Sequence, residues 1–552
     1  MNNYDSVSEY YAEILEGQYD CVDRIVLRAY YLLGQTPGGF RTWWRQVHGT
    51  DENLTETAVM RYAGRFARRL RAYAKKQNIP LLECGRGERK HEVAEPYVPT
   101  DPDYRGVFCI LYGRAPAPVF EVQRYGQGGI NIRTKEPWPF VNYYHFHIMD
   151  PEWGHIIIRL SPHPPFGAMI VLNGHEYVER LARKRKLDFT KEGNCFTHFS
   201  NATDLAGVAE TMIPTDGRDG GRLAEVCERW IYSSCLCFAL DRQEQERCAF
   251  HYRYSVYQAE YSRNYLFMRG RQMEKLFDKL IDRTRTALDI RSLKTIFGVK
   301  NRPYFKGPHG RPPRIELSVE RPAYDLTVFK VHFGLLTVKM YSKGERVLRI
   351  ETVIHNARRM KCGVGIDKFP AIVAELKGVL DRFVESLQCV NASFIDAAAL
   401  EQWPKRSALA GTPVAGVDIN QPRMQAVLQA VVVLAIKPNG FKASELAERV
   451  REVPEMRAHP YTSRQASYDL RKLRAKGVLK RIPNSLRYEA EPTGLRAAVA
   501  LLTLRNEVLI PLLANRGQRK RCGRCHMSET EQRYANIQKE LQHVFKTLGI
   551  AA

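Results

Sequence analysis

The sequence predicts an α+β multidomain protein: a helical basic N-terminal region, a mixed β/α body, and a C-terminal module of helices closed by a hairpin. Three observations carry this expectation. The chain has 552 residues, too many for one hydrophobic core and enough for about three or four domains. Short β-rich runs bounded by Pro and Gly lie between stretches of helical periodicity. The C-terminal part reads as three helices followed by two short strands.

Residues 1–82 are expected to be helical. Thr57–Gln77 has apolar residues at helical spacing and carries basic residues with no acid. One face packs, and the other presents Arg61, Arg65, Arg68, Arg69 and Arg71 as a candidate phosphate-contacting surface. Residues 83–198 form the β-rich domain, with runs such as VFCILYG, YYHFHIM, HIIIRLS and GAMIVLNG. Asn173-Gly174 reads as a hairpin turn, feeding a short helix whose Arg183 and Lys184 suit backbone tracking. Residues 199–297 return to helices, including an amphipathic one around Arg271–Leu288. Residues 298–314 mix Pro, Gly, Lys and Arg without an acid and read as a basic linker. Residues 315–400 form an α+β domain of strands followed by a helix over 369–388.

In the C-terminal module, MQAVLQAVVVLAI is an apolar helix stopped at Asn439-Gly440. ASELAERVREV follows, with Ser444 as the expected N-cap. YTSRQASYDLRKLRAKG is a third helix, opened by Thr462 or Ser463 and closed by Gly477. VLKRI and LRYEAEP then flank a turn at Pro483-Asn484. This order over about residues 424–492 resembles the winged-helix DNA-binding family, with the domain expected to run over 424–500. The resemblance implies that the third helix enters the major groove. Ala466, Leu470 and Leu473 face the core; Arg464, Gln465, Ser467, Arg471, Lys472 and Arg474 face outward. Arg reads guanine edges, Gln reads adenine and Ser contacts either. Lys480, Arg481 and Arg487 on the wing suit phosphate contacts. The same module can also serve protein contacts or pack onto the rest of the chain. Residues 514–552 form a basic tail around Cys522-x-x-Cys525-His526, read either as half of a zinc site or as unligated thiols.

The formal net charge is +24, from 84 Lys/Arg against 60 Asp/Glu. Residues 401–552 alone hold 26 Lys/Arg against 13 Asp/Glu. A surplus of this size self-repels unless it meets a polyanion, so nucleic acid, DNA or structured RNA, is the expected partner. A membrane partner is not expected: the apolar stretch 426–436 is about half the length of a bilayer span. The acidic N-terminus has no apolar core, and the twelve cysteines are scattered, so a cytoplasmic protein with reduced thiols is expected.

Two constellations suggest chemistry. His145 and His147 flank Phe146 on an expected strand, so both imidazoles share one face. This pair resembles the metal-binding element of single-strand endonucleases that start rolling-circle replication or conjugative transfer. With Asp150 nearby, the set would hold Mg or Mn. Tyr341 in KMYSKGERVLRIE, which resembles replication initiators, would be the nucleophile. Separately, Glu260, Glu351 and Asp150 would converge on a divalent ion, with Arg263 and Arg349 holding the scissile phosphate. The alternative to both is structural: satisfied histidines in an aromatic sheet, and an Arg-x-Glu ion pair on a strand. The body also resembles a group of uncharacterised bacterial proteins through LGQTPGGFRTWW, MDPEWGH, LNGHEY, EGNCF and KGERVLRIET, and that resemblance implies no activity.

The expectation is therefore a nucleic-acid-binding protein of a mobile-element, replication or defence context. The alternatives are a metal-dependent endonuclease or rolling-circle-type initiator, and a ligand-sensing transcription regulator.

Overall fold

Strand β1 (Leu15–Tyr31) is 17 residues long and lies where a helix was expected. Its burial explains why it does not read as a strand. From Tyr19 to Tyr31 both faces are largely buried, so polar and apolar residues do not alternate. Asp20, Asp23, Arg24 and Arg28 further break any apolar run. The same holds for the strand Tyr252–Phe267, buried at every position from Tyr261 to Phe267 and set in a segment expected to be helical.

The computed structural model describes residues 5–85, 87–126, 129–213, 220–287, 294–297, 315–323, 326–333, 336–360, 362–391, 401–435, 437, 440–453, 456, 460–510 and 529–548. The basic linker 298–314 and Cys522, Cys525 and His526 lie outside the described residues. The chain divides into two units. One is built mainly from residues 12–274 and 294–380, the other mainly from residues 381–552.

The first unit is organised by one sheet. After β1 come β2 (Leu81–Glu83), β3 (Gly106–Pro116), a small hairpin β4–β5 (Phe120–Arg124, Ile130–Thr134), β6 (Phe140–Asp150), β7 (Gly154–Leu160) and β8 (Ala168–Asn173). A second small hairpin, β9–β10 (Phe189–Lys191, Phe196–Phe199), precedes β11 (Tyr252–Phe267). Then follow β12 (Lys294–Phe297), β13 (Ile315–Ala323), β14 (Leu326–Phe333), β15 (Leu336–Lys343) and β16 (Val347–Ile354). Twelve of these join in the order β12-β13-β14-β15-β16-β11-β1-β8-β7-β6-β3-β2. Four regions expected to be separate, within 1–82, 83–198, 199–297 and 315–400, thus contribute strands to one sheet. Pairing is antiparallel except at the two ends, β12 with β13 and β2 with β3.

The sheet has two unlike faces. On one, Ile25, Leu27, Ile156, Ile158, Ile170 and Phe146 are fully buried. Helices cover this face because their own apolar stripes need burial. The helix Glu56–Lys76 starts where Thr55 accepts the Ala58 N–H, and it buries Phe66 against Tyr144 and Phe146. Each such aromatic removed from water contributes roughly 2–3 kcal/mol. The helix Phe369–Asn391 closes the other end, where the Thr352 hydroxyl donates to the Leu376 carbonyl at 3.2 Å.

The opposite face carries polar and charged side chains. A bulge between Val22 and Ile25 places two residues of β1, Asp23 and Arg24, opposite the single residue Glu260 of β11. Both point to the polar face, and beyond them Val26 and Arg28 continue it. The junction after β8 is not a hairpin. Asn173 is the N-cap of the helix Gly174–Lys184, accepting the His175 N–H at 3.0 Å. Gly174 is required there, because a Cβ would sit 1.7 Å from the Val22 carbonyl oxygen.

The second unit contains the expected C-terminal series. Helices Pro422–Leu434, Ala443–Glu452 and Ser463–Ala475 are followed by strands Leu479–Arg481 and Arg487–Ala490. A two-residue strand, Phe441–Lys442, lies beside Arg487–Ala490 in a three-stranded sheet. The second helix is capped at Lys442 rather than at Ser444, while Thr462 caps the third as expected. Asp469 is fully buried in the third helix. It accepts two hydrogen bonds from Arg423 at 2.7 and 3.0 Å and one from the Tyr461 hydroxyl at 2.8 Å. That network fixes the third helix against the first.

Candidate functional site

The polar face of the sheet gathers a cluster that no single stretch of sequence announces. In the register, Glu351 lies opposite Lys339 on one side and Ser262 on the other; Arg349 lies opposite Tyr341 and Asn264. Paired residues of antiparallel strands share a face, so these side chains meet. Lys339 donates to Glu351 at 2.7 Å and the Tyr341 hydroxyl donates to Glu351 at 2.8 Å. Glu260 comes from the same face of β11 and takes a hydrogen bond from Gln258 at 2.6 Å.

Electrostatics separates the two carboxylates. Burial would raise the pKa of Glu351, but the charge and hydrogen bond of Lys339, with Arg349 beyond, together hold the group below its usual value. Burial, then Glu351, pushes Glu260 up to about 7, against the pull of Lys339 and Arg24. Two carboxyls whose surroundings drive them apart are suited to opposite proton roles. Burial, then Glu351, holds the Tyr341 phenol well above its usual value, so it is protonated at rest.

A second network abuts the first. Asp23, on the bulge, lies 2.5 Å from His175 Nδ1 and 3.3 Å from Arg349 Nη1. Arg349 also donates to Asn264 at 2.6 Å and to the Asn194 carbonyl at 2.5 Å. Burial opposes the charge on Asp23, yet Arg349 and then His175 hold its carboxyl well below the usual range. His175 is itself lowered, because burial outweighs the attraction of Asp23. Tyr19 closes the group, 3.4 Å from His175 Nε2 and accepting the Phe196 N–H at 3.0 Å. Asp23, Asn264 and Lys339 were not anticipated. Their partners are remote in sequence, and only the strand register brings them together.

The structure therefore joins Tyr341, Glu351 and Glu260, which the sequence had assigned to two different constellations. It removes Asp150. That residue lies on β6, five strands from β16, roughly 24 Å at ordinary strand spacing. Its carboxylate is taken by Arg229 at 2.6 Å, Trp230 at 2.7 Å and the Glu152 and Trp153 N–H groups at 2.8 Å. His145 and His147 do share a face, but Asp150 is an odd number of residues away and faces the other side. His147 Nδ1 sits 2.9 Å from His155 Nε2. Burial, then Lys90, holds His145 near 3, and burial, then His155, holds His147 near 3. Among the described residues no three His, Cys, Asp or Glu side chains come together as a metal-binding group. Asp150 is thus not brought beside the two imidazoles, nor beside Glu260 and Glu351. Arg263 and Arg349, expected to hold the scissile phosphate, are engaged with side chains of the sheet. Arg263 is spent on Asp20 with two bonds of 2.8 Å, and Arg349 on Asp23 and Asn264.

The basic candidates divide in the same way. Arg65 pairs with Glu244 at 2.7 Å and lies over Tyr62, and Arg69 reaches Asp241 at 3.5 Å, so both bind neighbouring segments. Arg183 pairs with Glu179 at 2.7 Å. Arg68 and Lys184 are exposed, with no ion pair among the described residues. On the C-terminal module, Lys480 is held by Glu489 and Glu491 at 3.2 and 3.1 Å, and Arg487 donates to the Gly440 carbonyl. Arg481 donates to the Ser485 carbonyl. Gln465 accepts the Thr462 N–H at 2.8 Å as part of the helix cap, and Ser467 donates to the Ser463 carbonyl. Arg464 is exposed and Arg471 and Arg474 partly so, with no carboxylate partner among the described residues; Lys472 lies over the Tyr468 ring at 5.0 Å.

Comparisons with protein-family models, with curated proteins and with solved structures find no match to this chain.

Proposed function

We propose that this protein binds nucleic acid and that residues 422–500 do so as a winged helix. One observation carries the reading. The third helix of the module is fixed on its inner side by Ala466, Asp469, Leu470 and Leu473, all buried, while Arg464, Arg471 and Arg474 stand outside with no acid among the described residues to neutralise them. Uncompensated guanidinium groups on a rigid helix beside a hairpin suit the major groove and its phosphates. The net charge of +24 supplies the long-range attraction. The test is duplex binding by the full chain across a salt series. The double variant Arg464→Glu/Arg471→Glu is expected to weaken binding and to flatten the slope of log K against log salt by about 2. An unchanged slope would remove this helix from the interface.

A second reading is favoured by the Tyr341–Glu351–Glu260 cluster: the Tyr341 oxygen, giving its proton to Glu351, attacks a backbone phosphorus, and the P–O bond to the adjoining sugar breaks, that sugar leaving as a hydroxyl once it takes up a proton. Glu260, near 7, is the group in this cluster suited to exchanging a proton around neutrality. Incubation with single-stranded DNA and divalent ions, followed by denaturing electrophoresis, tests it. A covalent adduct lost in Tyr341→Phe supports the reading; no adduct with the parent protein removes it.

A further inference from the structure

The polar face extends beyond the candidate site, and the register arranges it in rows. Arg28 of β1 lies opposite Met169 of β8, Met169 opposite Arg159 of β7, and Arg159 opposite His145 of β6. Beside this row run Val26, Val171 and Ile157. Helices bury the far side of these strands completely, whereas Val171, Ile157, Met169 and Tyr143 on this side keep partial exposure and Arg24 and Arg28 are exposed.

Two arginines here are stacked on tyrosines. The Arg159 guanidinium lies 3.7 Å from the Tyr143 ring centroid and that of Arg28 lies 4.9 Å from Tyr257. Neither has a carboxylate partner among the described residues. Arg159 is partly buried, its Nε makes no hydrogen bond among the described residues, and its Nη1 reaches the Met169 sulfur at 3.9 Å. A half-buried guanidinium that no acid neutralises is costly to keep unless an anion reaches it.

We infer that this face is a binding track for a single-stranded polynucleotide, with Arg28 and Arg159 on its phosphates and Tyr143 and Tyr257 beneath its bases. A broad antiparallel sheet with planar side chains lets unpaired bases stack, while guanidinium groups neutralise the backbone. A duplex, with its bases already stacked inward, gains nothing from such a surface. The track leads past Arg24 to Glu260 and the Tyr341–Glu351 pair, on the same face. This inference rests on the nucleic-acid reading but not on the winged helix.

The test measures fluorescence anisotropy of labelled dT20, U20 and a mixed 20-base-pair duplex with the full chain, as parent, as Arg28→Glu and as Tyr257→Ala. Circular dichroism and melting check each fold. Arg28→Glu, at an exposed position, is expected to weaken single-strand binding at least about tenfold and leave the duplex within about twofold, and Tyr257→Ala to do the same through lost stacking. The dT20 and U20 arms show whether DNA or RNA is preferred. Equal losses for duplex and single strand, or no loss at all, would overturn the track. Parent protein that binds only duplex would also overturn it while leaving the winged-helix reading intact. Parent protein that binds neither polymer would overturn both.

Discussion

Asp23 and Arg349, 326 residues apart in sequence, form a buried ion pair at 3.3 Å that reaches across the intervening strand β11. Neither could be held charged at this depth without the other, because isolated buried charges are strongly disfavoured. The pair therefore ties the first strand of the sheet to β16.

Removing one partner should expose that dependence. Arg349→Ala leaves Asp23 buried without its main counter-charge and is expected to cost about 3–5 kcal/mol in urea unfolding. The double variant Asp23→Ala/Arg349→Ala should lose less than the sum of the single losses. Additive losses in the double-mutant cycle would show that the two do not interact.

Glu260 gives a pH signature. A carboxyl raised to about 7 in the folded protein binds more protons than the unfolded chain between about pH 4.5 and 7. Its favourable contribution is complete below the unfolded value and is lost as pH rises through 7. Glu260→Gln, which keeps the neutral shape, should therefore be more stable than the parent at pH 8 by on the order of 1–2 kcal/mol and equal to it near pH 4. Equal stability at both pH values would contradict the raised carboxyl.

In the C-terminal module, Asp469→Ala should cost about 2 kcal/mol, since Arg423 is partly exposed and can rehydrate, and Tyr461→Phe about 1 kcal/mol. Chemical denaturation of the two variants checks the order; a larger loss for Tyr461→Phe would reverse the assignment of Asp469 as the anchor.

Gly174→Ala is expected to be among the most damaging single methyl additions, above about 3 kcal/mol, because the new carbon meets the Val22 carbonyl. The readout is soluble yield and melting temperature. Native-like stability would mean that the helix start moves freely away from β1.

Much of the helical content was legible in the sequence. The helix Glu56–Lys76, the helix Phe369–Asn391 and the C-terminal series carry clean periodicity, caps and stops, and their boundaries fall within a few residues of expectation. The runs on β3, β6, β7 and β8 were legible for the same reason, bounded by turn residues. What did not read through was the centre of the sheet. β1 and β11 are buried on both faces and carry charges satisfied only by remote partners, so period-2 alternation fails where the cluster is built. Tyr341 and Glu351 stood out from their local motif. Asp23 did not, because its role depends on a bulge and on partners from β16 and the start of a helix.

The sheet order also bears on how the chain is made. β1 is synthesised before the other described strands, yet it ends in the interior, between β8 and β11. At ordinary translation rates of about 5–20 residues per second, β11 follows it from the ribosome only after roughly 10–50 s. Until then β1 has an open edge, and fragments ending before residue 252 keep that edge permanently. The nascent chain is therefore most vulnerable to association in the interval before β11 appears, and truncations meant to isolate an N-terminal domain remove the strand that shields it.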